Sequence, residues 1–429
     1  MFKILKYTIF SIVFLVIVIV LSNSNFILPN FDKTVEDIAI TKNDKKIART
    51  LKAYSIKTED PVKSSRKKIV DRPGMVLKFR MPYEIMYRFQ MARKYKKPPI
   101  LNQTVATKVS IEGGPYINAF VKVRGNSSID TDKKSFNVNL FYPQRFTKDI
   151  KLSKFFLINL LVDEFGVKNK FSYDILETLD LFFSYTQYVI VYINDEIQGL
   201  YLLVERPKDA IKRIYGEENL KSLFRAHKQY NEFFLKYSKT DYNAWDAINK
   251  LLFVHTIVDK KEQMQKYDEI LNMNMYFKWV AFNSLVQNSD SKEEFFLYEV
   301  ENKDIKKGQF QIMHWDYDDL HKKIKHPERI HKDDLMWATE RQVDKQIINN
   351  PFLYSRYKVI LSDLITNVCS EQFLEDKILE IKNTLDGIDF NMSLEEEQKL
   401  KQERDLFIKD FKQKILQRRN FLLECLKEN

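Results

Sequence analysis

Gln287-Asn288-Ser289-Asp290, Glu294-Phe-Phe-Leu-Tyr-Glu-Val300, Gln309-Phe-Gln-Ile-Met313 and His314-Trp315-Asp316-Tyr317-Asp318-Asp319 follow one another along the chain. The two apolar runs, joined by a Lys-rich turn with Gly308, predict a short β-hairpin. A helix, Met275 to Val286, leads into it. One acidic loop therefore stands at the hairpin's entrance and another at its exit. Asp290 and Asp316 are 26 positions apart, close enough for one hairpin to deliver both into a single cleft. Phosphoryl transfer needs such a layout. One carboxylate orients or deprotonates the acceptor, and a second holds Mg²⁺ against the phosphates. Asp is common in exposed turns. However, Asp316 and Asp318 are wedged between Trp315, Tyr317 and the apolar strand Phe310–Met313, a setting partly desolvated without a cation.

Working outward, Ala106–Ile111 alternates as a strand, Glu112-Gly113-Gly114-Pro115 is a turn, and Tyr116–Val123 alternates again. Ser135–Leu140 is a third strand with Phe136, Val138 and Leu140 on one face. Phe155–Leu181 has helical spacing with a break near Gly166. Tyr188–Ile193, a turn at Asn194-Asp195, and Gly199–Val204 form a strongly apolar hairpin. From Ala210 onward helices dominate, apart from the hairpin between the acidic loops. This succession predicts an α+β protein with a two-lobed, kinase-like layout, although many α+β proteins share such an order.

The amino terminus predicts export. Lys3 and Lys6 precede an uncharged, almost wholly apolar run from Tyr7 to Leu21, which extends through Leu28 to a length that crosses a bilayer. No small-x-small cleavage site follows, which favours a retained anchor over a cleaved signal. The positive residues stay on the cytoplasmic side, so the bulk of the chain is expected outside the cytosol, at a cell surface or in a periplasm or lumen. The expected division is an anchor over 1–28, a basic stalk over 29–100, a smaller lobe over 101–208 and a mostly helical lobe over 209–429. Between Lys63 and Lys97 there are twelve basic residues against Asp71 and Glu84, which suits a solvated linker or contact with an anionic surface. Nucleic acid is a poor partner for an exported chain. Cys369 and Cys425 are too few for a disulfide framework or a Cys-based zinc site; they form one bridge or act as two small apolar residues. Six His include no HExxH, which leaves zinc hydrolysis without support.

Four segments, in order, resemble the spore-coat CotH proteins, a family of atypical protein kinases. Val121-Lys-Val-Arg-Gly-Asn-Ser-Ser128 with Lys133-Lys134-Ser135-Phe136 looks like the family's RGNSS…KKS block. Val191–Glu205 is similar to its Asn-turn hairpin ending in Glu. Asn288-Ser-Asp290 with Phe296-Leu-Tyr298, and Trp315-Asp-Tyr-Asp318, resemble its catalytic loop and WDxD element. The resemblance spans about residues 100 to 425 and extends into the helical tail at Pro351–Tyr357.

The resemblance implies ATP as donor, with Mg²⁺ or Mn²⁺, and Ser or Thr of exported proteins as acceptor. Arg124, Gly125, Asn126, Ser127 and Ser128 would form the phosphate-facing loop, although the block alone reads as a plain β-turn. Lys134 or its neighbour Lys133 would neutralise phosphates, and Glu205 would lie at the lobe junction near the adenine edge. Asp290 would be the catalytic acid-base residue, with Asp316 and Asp318 as metal ligands. The chain departs from the family pattern where an Asn usually opens the strand after the catalytic loop. Glu294 is the acid available there, either as a substitute metal ligand or as the mark of a catalytically silent relative. The implied functions are an ATP-dependent protein kinase and, alternatively, a pseudokinase scaffold organising coat, wall or envelope proteins; an adhesin-like surface ligand is a third.

Overall fold

The computed structural model describes residues 74–83, 85, 104–125, 133–163, 165–227, 233–321, 335–337 and 341–428, all within the second of the chain's two units, Val62–Asn429. The Tyr7–Leu28 run, most of the basic stretch, and Asn126, Ser127 and Ser128 lie outside the described residues. Among the described residues no helix is long and apolar enough to cross a membrane.

The protein is a mixed α+β structure. Seven strands close into a barrel in the order β1-β2-β3-β4-β5-β7-β6. They are β1 (Met75–Arg80), β2 (Val105–Ile111), β3 (Ile117–Arg124), β4 (Ser135–Arg145), β5 (Lys151–Ile158), β6 (Thr186–Ile193) and β7 (Glu196–Glu205). All neighbours are antiparallel except β1 and β6, which close the barrel in parallel register from Met75↔Val189 to Phe79↔Ile193. Alternation sends Leu77, Val121, Val138, Phe155, Leu157, Val189 and Leu203 into the barrel core. The β6–β7 hairpin is apolar on both faces because its other face, including Ile190, Leu202 and Val204, packs into the second core.

Three sequence expectations need correction, two of them in the barrel. Phe155–Leu181 is not one helix. Its first residues belong to β5, where Phe155 and Leu157 point into the barrel, and only α1 (Val167–Thr178) is helical. Short apolar runs carry both periods, and here pairing with β4 and β7 selects the strand. Gly166 starts the helix at φ 75°. A Cβ there would lie 3.1 Å from both Leu160 and Tyr188 side chains, and Tyr188 donates its hydroxyl to the Gly166 carbonyl at 2.7 Å. In addition, β1 lies within the stretch expected to be stalk. Its three inward positions show too little alternation to be read without the partners that pair with it.

After α2 (Pro207–Tyr215) comes a second sheet, ordered β11-β10-β8-β9. The expected hairpin is β10 (Phe295–Val300) with β11 (Gln311–His314), but it is not isolated. Strands β8 (Leu220–Ala226) and β9 (Phe233–Ser238), in the region expected to be helical, extend it through β8–β10 pairing. The helices are α3 (Ala244–Val254), α4 (Lys260–Ile270), α5 (Met273–Val286), α6 (Gln342–Asn349), α7 (Pro351–Asp363), α8 (Glu371–Asp386) and α9 (Leu394–Glu428). Asn350 caps α7 by accepting from the Phe352 and Leu353 amides, and Pro351 supplies the preset first turn. Cys369 and Cys425 are both thiols, so no bridge joins them.

Candidate functional site

Helix α5 ends at Gln287, whose φ of 49° turns the chain sharply out of the helix. The next residues pair with the segment after β11. The His321 amide donates to the Gln287 carbonyl at 3.1 Å, and the Ser289 amide to the Asp319 carbonyl at 3.2 Å. At the mouth of the hairpin, the Trp315 amide donates to the Glu294 carbonyl at 3.0 Å, continuing the Phe295↔His314 register. The two acidic loops are thus fastened together backbone to backbone.

Helix α1 fixes the second loop from the other side. The Asp316 amide donates to the Tyr173 hydroxyl at 3.2 Å, and the Tyr317 amide to the Asn169 side-chain oxygen at 2.8 Å. Asn169 and Tyr173, four residues apart, share one helix face. Buried Asp163 accepts from the Lys168 and Asn169 amides, both at 2.9 Å, and so caps the start of that helix. Asp316 itself adopts the left-handed conformation at φ 49°, a geometry that costs roughly 1 kcal/mol and collects at functional sites.

Asp290, Glu293 and Glu294 each offer a carboxylate oxygen, and these oxygens lie within 4.8 Å of one another. Hard oxygen donors at that spacing suit Mg²⁺ or Mn²⁺. Asp316 and Asp318, expected as ligands beside Glu294, are not in this group; Glu293 is. The Asp318 backbone carbonyl accepts from Lys168 Nζ at 3.2 Å. Arg225 of β8 donates to both oxygens of Glu294, at 3.1 and 3.3 Å. Burial pushes the Glu294 carboxyl well above its ordinary pKa, with the Asp316 charge adding to the rise and Arg225 opposing it. Burial also raises Asp316, against the pull of Arg124 and then Arg225. Arg124 lies 4.1 Å from the Phe156 ring centre and 5.3 Å from that of Trp315, and burial lowers it to about 10. The floor of the site is therefore a set of opposed charges in a partly dry setting, the condition under which each interaction gains strength.

A family model described as CotH kinase protein matches residues 121–422, more than two thirds of the chain. The chain belongs to the CotH kinase family. A comparison with curated proteins finds no match.

In this member of the CotH kinase family, Gly125 follows β3 with φ 104°, a conformation that favours glycine and leaves the backbone open to close approach. Lys134 is buried at 4% exposure. Lys133 donates to the Leu200 carbonyl and lies 4.5 Å over the Tyr201 ring, and burial lowers its amine to about 8. A small amine-acylating reagent followed by peptide mapping is expected to label Lys133 with a midpoint near pH 8, below the ordinary lysine value. Labelling that rises only at the ordinary lysine pKa would place Lys133 in water.

Glu205 is buried and occupied. It accepts from Arg213 Nε at 2.9 and 3.3 Å and Nη2 at 2.7 Å, and from the Tyr185 amide at 3.0 Å. It therefore clasps α2 to the end of β7. His314 is also buried, stacked 5.0 Å from Trp279 with Nδ1 2.9 Å from the Tyr317 hydroxyl. Burial holds its pKa well below the ordinary value, so it is a neutral packing group. The sequence offered no sign of Arg225, because its contact exists only through β8–β10 pairing. Asn169 and Tyr173 stand in the sequence as an i,i+4 pair, and both lie on the buried face of α1.

Proposed function

We propose that this CotH kinase family member is an exported, membrane-tethered protein kinase that transfers phosphate from ATP to Ser or Thr of exported proteins. The observation that supports this reading is the fastening of the Asp290 and Asp316 loops beside Glu293, Glu294 and the two arginines. In this scheme Asp290 orients the acceptor hydroxyl and takes its proton as the oxygen bonds to the γ-phosphorus and the bond to ADP breaks. Arg124 and the Gly125 backbone face the phosphates, and Lys133 and Lys134 supply charge behind them. Glu293 and Glu294, whose carboxylates gather beside Asp290, would hold a divalent cation, which leaves Asp290 for the acceptor. Such an ion would neutralise phosphate charge and orient the γ-phosphoryl group.

The test is autophosphorylation of the full-length chain with labelled ATP and Mg²⁺, beside Asp290→Ala. Transfer is expected in the wild type and is expected to fall by at least about a hundredfold in the variant. The ion pair of Glu294 with Arg225 favours a second reading, a silent scaffold. No transfer, together with no shift in melting temperature on adding ATP and Mg²⁺, would establish that reading instead.

A further inference from the structure

The three gathered carboxylates of Asp290, Glu293 and Glu294 repel one another unless a cation sits among them. The chain already supplies one. Arg225 projects from β8, where it pairs directly opposite Phe296, two residues beyond Glu294. Its guanidinium reaches both oxygens of Glu294, and only 11% of the Glu294 side chain and 32% of the Arg225 side chain is exposed. This position is built rather than incidental. β8 is held to β10 from Leu220 to Arg225, so the guanidinium approaches from a strand and not from a mobile loop. Arg225 also acts on Asp316, whose charged form it favours together with Arg124.

An ion pair of this kind competes with metal ligation. A carboxylate engaged on both oxygens by one guanidinium has lone pairs left, but a divalent ion placed there would stand against a fixed positive charge. Arg225 is therefore a cation that the cleft carries permanently, against one of the three gathered carboxylates.

We propose that Arg225 is the built-in counter-cation of this cleft, so that the site takes one divalent ion instead of the two that protein kinases commonly hold. The proposal rests on the kinase reading for what the site is for, but not for its test. Arg225 is a positioning residue here: it acts through Glu294 and sets the metal requirement.

The experiment is a titration of the full-length chain with Mn²⁺ alone, followed by the electron paramagnetic resonance signal of the free ion. Wild type is expected to bind one Mn²⁺ at this site. Arg225→Met, which leaves Glu294 without its guanidinium, is expected to bind a second ion and to hold the first roughly tenfold more tightly. Arg225→Met with Glu294→Gln removes both charges and is expected to return to one ion. If Arg225→Met is too unstable to titrate, its melting temperature in Mn²⁺ decides. Recovery toward wild type is expected, because the metal replaces the missing cation. Two ions or none in wild type, an Arg225→Met protein that titrates as wild type, or no recovery in Mn²⁺ would each overturn the proposal. Failure of the kinase reading would appear separately, as absence of phosphate transfer from ATP.

Discussion

Asp316→Asn is expected to cut phosphate transfer by about a thousandfold while leaving a cooperatively folded protein. The side chain keeps its size, so no cavity opens. The Asp316 amide keeps its bond to Tyr173, which holds the left-handed turn in place. What disappears is a negative charge set between Arg124 and Arg225. Burial already raises the Asp316 carboxyl, which means that its charged form is costly in the fold. A neutral amide relieves that cost while leaving two guanidiniums less compensated, so the net change in stability is small. The measurement pairs a transfer assay with thermal unfolding. Normal transfer by a folded Asp316→Asn protein would remove this residue from the mechanism, and a large drop in melting temperature would make its role structural.

Arg213→Met is expected to destabilise the fold by roughly 3–5 kcal/mol, the range for removing one partner of a buried pair. Glu205, with a side chain only 2% exposed, would be left charged against the Tyr185 amide alone. Adding Glu205→Gln to Arg213→Met is expected to recover a large part of the loss, because the orphaned charge is gone. Chemical denaturation of the two variants and of wild type gives the comparison. If Arg213→Met matches wild type in stability, Glu205 is not a clasp and its expected place at the adenine edge returns. A clasp here has a functional consequence, since it ties the end of β7 to α2, the helix that leads into β8 and so to Arg225.

Much of the site's frame was visible in the residue order. The helix read from Met275 to Val286, the short hairpin after it and the acidic loops at either end follow from apolar spacing and turn residues, and the structure has all of them, with the helix starting at Met273. Asp290 and Glu294 do come together. The partner that completes their group is Glu293, not the Asp316–Asp318 pair. Spacing along a loop does not say which way successive side chains turn. The left-handed backbone at Asp316 and the bonds that the Asp316 and Tyr317 amides donate to Tyr173 and Asn169 shape that loop, and those two acceptors lie on α1, far away in sequence.

The sequence by itself determined the local terms: which runs are apolar, where the turns fall, that the helical spacing breaks near Gly166, and which family the motifs resemble. These depend on residues near one another in the chain. The tertiary structure decided what depends on partners far away. It made Phe155–Ile158 a strand because β4 and β7 flank it, and it closed the barrel with β1 through a parallel pairing to β6. It set β8 beside β10 and so brought Arg225 to Glu294, 69 positions away. A buried charge takes its meaning from the charge opposite it, and that neighbour is chosen by strand pairing over distances that no local pattern records.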